Sequence, residues 1–409
     1  MKRVVVTGMA GITALGDNAI DILENLKKYQ NAIVKMTEWG KYQGLLTQVA
    51  SPIPAFKEKE IYHRRQLRSM GRVAALATKS AEMALENAGL RTDQKIQDGR
   101  MGIAYGSSSG SPEALSHLMN TRFNHNIQGI NANTYLRMMP QTTPVNMGVF
   151  LGLKGRIITT NSACTSGSQG IGYAYEAVKY GLQPMMLGGG AEELDITQAA
   201  VFDTLFATSC ENNNKPQLTP RPFDKDRDGL VIGEGAATFV LEELEHAKAR
   251  GAPILAEIVG FYTNSDGLHV TQPNAETMAI AIQGALDNAH LPASEIGYIN
   301  AHGTATERGD IAESKATYAV FKDNTPISSL KSYIGHTLGA CGAIESYISI
   351  EMMRHQWFCP TINLDQVADE CAPLDYIQKQ GREITTDYIM SNNFAFGGIN
   401  TSLIFKNWH

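Results

Sequence analysis

The chain has 409 residues, of which 43% are hydrophobic and 19% are charged, and its formal net charge is −6 at pH 7. A chain of this length exceeds the size at which a single hydrophobic core stops growing, so we expect two core units. The ordinary hydrophobic share excludes a mainly disordered protein, and the negative charge argues against a general nucleic-acid-binding surface. No apolar run of about 18 residues occurs, which argues against a membrane span.

The five cysteines are widely spaced and include no CxxC pair. An odd and scattered set predicts neither a disulfide framework nor a zinc site. Glycines interrupt the apolar residues near the N-terminus, which then meet Asp17, and this pattern is too broken for a signal peptide. We therefore expect a cytoplasmic protein without a metal or another cofactor.

Short β-branched runs alternate with segments of helical periodicity along the whole chain. In chain order the predicted strands are 3–8, 101–106, 156–160, 185–188, 254–261, 296–300, 327–329, 387–390 and 401–405. The predicted helices are 21–28, 70–88, 168–180, 241–250, 276–289, 309–320 and 340–354. This alternation predicts an α/β architecture. The order of elements also predicts two pseudo-duplicated halves, 1–250 and 251–409, although no residue-level repeat is visible.

Cys164 lies in the segment Asn-Ser-Ala-Cys-Thr-Ser-Gly, residues 161–167, between a predicted strand and a predicted helix. On such a turn the sulfur faces the positive end of the helix dipole, which lowers the pKa of the thiol and suits a nucleophile. A free cysteine is more often a small buried hydrophobe, so this segment alone does not decide the function.

Two histidines occupy similar places. His302 follows a predicted strand in Asn-Ala-His-Gly-Thr, and His336 follows another in Gly-His-Thr-Leu-Gly. Functional sites of open α/β sheets collect at the carboxyl ends of strands. A single histidine in such a loop is usually structural, but two that each lie beside glycine indicate a site, and neither has the spacing of a metal ligand.

A fourth segment, Asn-Phe-Ala-Phe-Gly-Gly-Ile-Asn, spans residues 393–400. The glycine pair allows the backbone to approach a bound group closely, and adjacent amides there could form an oxyanion hole. Taken alone, such a pair is usually just a turn.

Together these segments resemble those of the elongating type II β-ketoacyl-[acyl carrier protein] synthases. The resemblance rests on Ser-Ala-Cys164-Thr-Ser, Asn-Ala-His302-Gly-Thr, Lys331 with Gly-His336, and Asn-Phe-Ala-Phe396-Gly-Gly. It rests also on Arg-Pro-Phe-Asp-Lys-Asp-Arg-Asp-Gly at 221–229 and Gly-Glu-Gly-Ala at 233–236. It extends over essentially the whole chain, residues 3–405.

The resemblance implies a thiolase-like five-layered αβαβα fold and a decarboxylative Claisen condensation of malonyl-loaded acyl carrier protein. Cys164 would accept the acyl group, and His302 and His336 would hold the malonyl thioester and stabilise the enolate. Lys331 would support His336 electrostatically. The amides of Cys164 and Phe396 would form the oxyanion hole, with Phe396 as the gate of the acyl pocket. The partners would be acyl carrier protein and an identical or related second subunit.

Some positions differ from what is common in this family. Ser109 stands where a bulky aliphatic residue is frequent, and Met138 and Met139 stand where aromatic residues are frequent. Ala395 replaces a glycine of the gate, which puts the gate's range of motion in question. These differences fit an acyl chain other than the ordinary saturated one, such as an aryl polyene of secondary metabolism. The expected pocket residues are Ser109, Met138, Met139, Thr304, Thr306 and Phe394.

A basic cluster interrupts this acidic sequence at residues 63–68. Helical spacing would bring Arg64, Arg65 and Arg68 near one face. Carrier proteins are acidic, and the segment resembles the docking patch of the family. The alternative interpretation is an ordinary solvated surface.

Three other functions fit parts of the sequence. Gly-Ser-Ser108-Ser-Gly matches the nucleophile elbow of serine esterases. A chain-length-factor subunit would share the family resemblance but would lack the nucleophile, which is present here. A thiolase would need a second active-site cysteine near the C-terminal glycine-rich loop, and residues 391–400 contain none.

Overall fold

The computed structural model describes residues 1–54 and 56–409. In this part of the chain the strands are β1 Val4–Ile12, β2 Val34–Lys35, β3 Val49–Ser51, β4 Met101–Gly106, β5 Ile157–Thr160, β6 Met185–Glu192, β7 Ile232–Gly233, β8 Gly235–Glu243, β9 Ala256–Ser265, β10 Ile296–Asn300, β11 Pro326–Ser328, β12 Trp357–Phe358, β13 Asp375–Tyr376, β14 Arg382–Glu383, β15 Tyr388–Ala395 and β16 Ile399–Asn407. The helices are α1 Ala19–Lys27, α2 Glu58–Ile61, α3 Arg72–Asn87, α4 Pro112–Asn124, α5 Ala132–Met138, α6 Thr142–Leu151, α7 Ser166–Lys179, α8 Ile196–Asp203, α9 Leu244–Ala249, α10 Ala275–Ala289, α11 Glu307–Phe321, α12 Lys331–Ile334 and α13 Cys341–Arg354.

The main sheet consists of two sets of strands with the same topology. The first set has the order β5-β4-β6-β8-β1, and the second has the order β11-β10-β15-β16-β9, with β13 added beyond β11. In both sets the first two pairings are parallel and the next two are antiparallel. Antiparallel pairing of β1 with β9 joins the sets. This repeat confirms the predicted pseudo-duplicated α/β fold.

Alternate residues of each strand pack into different hydrophobic cores. Met186 belongs to a central core with Ile171 of α7 and Ile344 of α13, whereas its neighbours Met185 and Leu187 pack with α3. In the second set, residues of β15 and β16 alternate in the same way between the central core and a core with α10 and α11. The structure therefore has three large cores where the chain length predicted two, because the two strand sets share the central one.

The helices complete five layers. α3 covers the first strand set, α10 and α11 cover the second, and α7 and α13 lie between the two sets. Every residue of α13 except Arg354 is buried, as expected for a helix that is covered on all sides. No helix of residues 1–54 and 56–409 is long and apolar enough to cross a membrane.

The predicted helix 241–250 is wrong at its start. Residues up to Glu243 continue β8, and only Leu244–Ala249 is helical. Leu241 is fully buried and pairs with both β1 and β6, so its place in the sheet overrides the local helical pattern. The sequence prediction also missed the six helices α2, α4, α5, α6, α8 and α12.

Candidate active site

The ends of three strands bring the predicted catalytic residues together. Cys164 lies in a short 3-10 helix, Ala163–Thr165, between β5 and α7. His302 follows β10, and His336 follows β11 and the short helix α12. All three side chains are buried. Burial removes competing water, so the contacts among these residues determine their protonation and their hydrogen bonding.

The hydrogen bonds at Nδ1 of His302 and His336 determine which ring nitrogen of each imidazole carries the proton. The backbone N–H of Leu338 donates to His336 Nδ1 at 3.2 Å. His302 Nδ1 lies 3.3 Å from Lys331 Nζ and 3.4 Å from Asn393 Nδ2, which are both donors. In a neutral imidazole with an accepting Nδ1, the proton is on Nε2. Both histidines therefore present an Nε2–H group.

The imidazoles are neutral at ordinary pH. Burial lowers the pKa of His302 and His336 well below the usual value, and the charge of Lys331 lowers both further. The rings are perpendicular, with centroids 5.2 Å apart. His336 Nε2 donates to the sulfur of Cys164 at 3.0 Å. The two rings can thus offer N–H donors to an oxygen that acquires negative charge beside the sulfur.

The cysteine is a thiol at rest, and the predicted lowering of its pKa is wrong. Burial raises the pKa of Cys164 to about 12 and outweighs the nearby charge of Lys331. The backbone N–H groups of Phe396 and Cys164 lie near the sulfur and lower its pKa, in the opposite direction to burial. The sequence predicted these two N–H groups as the oxyanion-hole donors, and that role stays a prediction.

A buried ion pair lies behind His302. Lys331 Nζ donates to Glu345, and both side chains are almost fully inaccessible to solvent. Burial alone would lower the pKa of Lys331, but the charge of Glu345 more than compensates and the pKa is raised. The sequence predicted that Lys331 supports His336, whereas the structure places its ammonium within hydrogen-bonding distance of His302.

Three functional side chains escaped the sequence analysis. Glu313 accepts the backbone N–H groups of His302 at 2.7 Å and Gly303 at 2.6 Å, and burial raises its pKa to about 8. Asn393 donates to Glu345 at 2.8 Å while its amide faces His302. Glu345 is the third of these side chains. The available signal in the sequence was an acidic residue within the largely small and apolar segment 340–350.

The donor set does not favour a metal ion. Ligand atoms of Cys164, His302 and His336 lie within 4.8 Å of one another, and so do those of His302, Cys341 and Glu345. However, Nδ1 of each histidine already accepts from donors and Nε2 carries the proton. A lone pair would be exposed to a metal only after those hydrogen bonds were lost.

A cavity of about 570 Å³ opens onto the catalytic residues. Its walls include Cys164, His302, His336, Phe394, Phe396, Thr304 and Thr306. The centroids of the Phe396 and Phe202 rings are 5.3 Å apart. Phe396 begins the tight connection between β15 and β16, and the N–H of Gly397 donates to the carbonyl oxygen of Val270 at 2.7 Å.

Family comparisons match this geometry. The model described as "Beta-ketoacyl synthase, N-terminal domain" matches residues 1–247, and its C-terminal counterpart matches residues 255–365. The chain belongs to the β-ketoacyl synthase family.

Individual relatives agree over the full length. A 3-oxoacyl-[acyl-carrier-protein] synthase 1 of Haemophilus influenzae is 35% identical, with 100% of each chain covered. A crystal structure of a β-ketoacyl synthase from Burkholderia phymatum is 57% identical, with a TM-score of 0.98 and 100% of each chain covered. One chain in the structure of a type II polyketide synthase acyl-carrier protein in complex with its ketosynthase is 28% identical. Its TM-score is 0.85, again with 100% of each chain covered.

The other expected pocket residues lie apart from the cavity of this ketosynthase. Ser109, Met138 and Met139 are not among its lining residues. Ser109 Oγ accepts from Gln198 Nε2 at 3.1 Å. The Met138 and Met139 backbone lies against Gly110, where a Cβ would approach the Met138 oxygen to 2.7 Å. These three residues are therefore close to one another, and their role in acyl binding stays a prediction.

The basic cluster at residues 63–68 does not form the helix that its spacing predicted. Arg64 and Arg65 lie in a turn, and Gln66–Arg68 forms a single 3-10 turn. These residues nevertheless line one groove of about 1080 Å³ together with Lys59 and Arg137, and no acidic side chain lines the groove within the described residues. Arg137 Nη2 donates to the carbonyl oxygens of Leu67 and Arg68, each at 2.9 Å, and so fixes the 3-10 turn.

The serine-esterase alternative finds no partner for its nucleophile. The Ser108 N–H donates to Glu192 Oε2 at 2.7 Å. In the described ranges, no histidine hydrogen-bonds to Ser108. Glu192 accepts the backbone N–H of Ser108 and not its hydroxyl, so among the described residues no general base contacts that hydroxyl.

Proposed function

We propose that the chain is a 3-oxoacyl-[acyl carrier protein] synthase that loads an acyl group on Cys164 and condenses it with a malonyl group. One observation carries this proposal. The cavity is lined by Cys164, by His302 and His336 with their Nε2–H groups, and by Phe396, whose backbone N–H lies near the sulfur. This set contains a nucleophile and donors for two different oxyanions, which a two-step acyl transfer requires.

The first step transfers the acyl group. The sulfur of Cys164 attacks the carbonyl carbon of an acyl thioester, and the bond from that carbon to the carrier sulfur breaks. The Cys164 thiol loses one proton, and the released carrier thiolate takes up one proton. The carbonyl oxygen becomes negatively charged beside the N–H groups of Cys164 and Phe396. Each such preorganised donor is worth roughly 3–4 kcal/mol.

The second step uses the histidines. The carbon–carbon bond to the malonyl carboxylate breaks and carbon dioxide leaves, so the thioester becomes an enolate whose oxygen accepts from His302 and His336. The enolate carbon then attacks the thioester on Cys164. A carbon–carbon bond forms, the carbon–sulfur bond breaks, and the released thiolate takes up one proton.

The carrier of both substrates is an acidic acyl carrier protein. Support comes from the groove with Lys59, Arg64, Arg65, Arg68 and Arg137, whose charge complements an acidic partner. A related ketosynthase was solved with its acyl-carrier protein, and we propose the same kind of partner here.

A second subunit, identical or related, is part of the proposal. β5 is the end strand of the main sheet and is paired only with β4 within the described residues. Its Ile157 is exposed. A chain-length-factor role for this chain itself is disfavoured, because the nucleophile and both histidines are present and assembled.

Location, pathway and domain division are further parts of the proposal. All five cysteines are free, which fits a reducing cytoplasm. The product would serve fatty acid biosynthesis or a polyene pathway. We also retain the division into an N-terminal half, 1–250, with the nucleophile and a C-terminal half, 251–409, with the histidines and the gate.

The test follows both steps by intact mass. The enzyme is mixed first with acyl-loaded carrier and then with malonyl-loaded carrier. We expect the acyl mass to appear on Cys164 and then to be lost, with a 3-oxoacyl carrier two carbons longer as product. Absence of an acyl-enzyme, or an acyl group found on Ser108, would overturn the proposal.

A further inference from the structure

Helix α8 connects the loop at Ser109 with the gate at Phe396. Gln198 and Phe202 are four residues apart on α8 and therefore share one face. The Gln198 side chain is buried, its Nε2 donates to Ser109 Oγ at 3.1 Å, and its Oε1 accepts the N–H of Asp195 at 3.1 Å. Phe202 packs on Phe396. One short helix thus contacts both the loop and the gate.

The loop that carries Ser109 is fixed next to the catalytic residues. Glu192 is fully buried and accepts the Ser107 hydroxyl at 2.9 Å, the Ser108 N–H at 2.7 Å and the Ser109 N–H at 3.3 Å. The same carboxylate accepts the N–H of Gly339 at 3.0 Å, three residues beyond His336. Ser109 is therefore held rigidly relative to the catalytic loop.

Phe202 of α8 and Phe396 of the gate meet at the wall of the cavity that contains Cys164. Phe396 and Phe202 both line the cavity that contains Cys164. An acyl chain on Cys164 that displaced the Phe396 ring from Phe202 would extend along the inner face of α8. The next side chain on that face is Gln198, with Ser109 bonded to it.

We propose that Gln198 and Ser109 form a polar end wall of the acyl site and select acyl groups that carry an oxygen at their far end. This inference rests on the proposed condensation function. In the part of the chain that the structure describes, the Ser109 hydroxyl hydrogen has no acceptor, so it can donate to a hydroxyl or carbonyl oxygen of the acyl group. A hydrocarbon chain that pushed the pair apart would instead leave the buried Gln198 amide and the half-buried Ser109 hydroxyl without their hydrogen bond.

The test uses carrier proteins loaded with matched acyl groups. At each of several chain lengths, one group ends in a hydroxyl and the other is unsubstituted. The readout is the yield of acyl-Cys164 by intact mass, expressed as the ratio of the two groups. For the unmodified enzyme we expect a ratio of about ten in favour of the hydroxylated group at the length that reaches the wall.

Two variants and one control identify the residues. Gln198→Leu and Ser109→Ala should each bring the ratio close to one, whereas Thr197→Ala, at an exposed position of the same helix, should keep it. Since Gln198 also caps α8, Gln198→Leu is judged only if its melting temperature shows a folded protein, and Ser109→Ala otherwise decides alone. A ratio near one at every length in the unmodified enzyme, or an unchanged ratio in Ser109→Ala, would overturn the inference.

The two proposals fail in different ways. A short unsubstituted acyl group does not reach the wall, so the unmodified enzyme and Thr197→Ala should both load it. If they do load it but show no hydroxyl preference at any length, only the end-wall inference is wrong. If neither protein loads any acyl group on Cys164, the condensation function fails, and the inference that rests on it fails too.

Discussion

Burial acts in opposite directions on the two kinds of catalytic side chain. It raises the pKa of the Cys164 thiol to about 12 and lowers the pKa of His302 and His336 well below the ordinary value. All three groups are consequently uncharged near neutral pH. An uncharged site is suited to stabilising an enolate with N–H donors, because no buried charge has to be compensated before the substrate binds.

The first prediction concerns pH. An imidazole with the ordinary pKa of 6.5 would become half protonated at that pH. Because the pKa of His302 and of His336 is lowered, their neutral forms should persist as pH falls, and they should be lost only well below that value. We expect the single-turnover condensation rate of preformed acyl-enzyme to show no half-maximal point near pH 6.5 as the pH falls. A half-maximal rate near pH 6.5 would contradict the assignment.

The second prediction separates the two steps. His302→Ala and His336→Ala each remove a donor to the enolate, so each should reduce condensation about 10²–10³-fold. Acylation of Cys164 should remain at least partly intact, whereas Cys164→Ala should abolish it. Intact mass measures acylation, and carbon dioxide release measures decarboxylation. A histidine variant that condenses at nearly the unmodified rate would show that its histidine has only a structural role.

A third prediction concerns the buried pair behind His302. Lys331→Met leaves the carboxylate of Glu345 buried without its counterion, so we expect the free energy of unfolding to fall by about 3–5 kcal/mol. Adding Glu345→Gln removes the orphaned charge and should recover much of that loss. Denaturant unfolding of the single and double variants measures both effects. Equal losses in the two proteins would show that the charge imbalance is not the cause.

Individual elements differ in how well the sequence predicts them. The bounds of β4 and β10 agree with the prediction, since each is a short apolar run ended by a change in composition. The start of the predicted helix 241–250 failed because Glu242 looks like a solvent-exposed helix residue. It is fully buried in β8, where Thr7, His246 and Arg250 satisfy its carboxylate. That compensation comes from residues that no local pattern includes.

Ala395 does not restrict the backbone of the gate in the way that the sequence suggested. Ala395 is the last residue of the extended strand β15, and the positive φ angles occur at Gly397 and Gly398. Alanine is therefore not strained at position 395, and the substitution does not by itself limit the turn. The sequence identified the correct segment but could not assign which of its residues turns the chain.

The fourth prediction tests the loop between β4 and α4. Ser109 Oγ faces Gln198 on α8, so Ser109→Ile places a branched side chain where a small hydroxyl now fits. If this loop borders the acyl site, the longest acyl group that loads Cys164 should become shorter, with little effect on the shortest primer. A methylene-sized misfit is worth about 1–3 kcal/mol, so the loss should be graded with length. An identical length profile in both proteins would exclude Ser109 from the site.

At the scale of the whole molecule, the internal repeat assembles the site. Cys164 follows β5, which is the third strand of the first set in chain order. His302 and His336 follow β10 and β11, which are the second and third strands of the second set in chain order. The sequence could predict each loop, because each lies at a strand end. It could not predict the contact between His336 and Cys164, which are 172 residues apart, or the Lys331 contact with His302, because these depend on how the two halves pack.

The last prediction concerns the carrier. Arg64, Arg65 and Arg68 line a groove with Lys59 and Arg137, so an acidic carrier should be attracted to this surface. Reversing the three charges to glutamate should raise KM for carrier-bound substrate by about tenfold or more at low salt. The difference from the unmodified enzyme should shrink as salt is added, because the Debye length falls to about 10 Å at 0.1 M.

Two controls distinguish docking from damage to the fold. Lys28→Glu changes the charge at an exposed position that does not line the groove, and it should leave KM nearly unchanged. A small acyl-pantetheine thioester has no carrier to dock, so the triple variant should use it about as well as the unmodified enzyme does. A similar rise in KM for both substrates would point to a distorted site, and an unchanged KM for the carrier-bound substrate would exclude this groove as the docking surface. The groove is the right candidate for this test because Arg137 fixes its 3-10 turn from α5, so its charges are held in place before a carrier arrives.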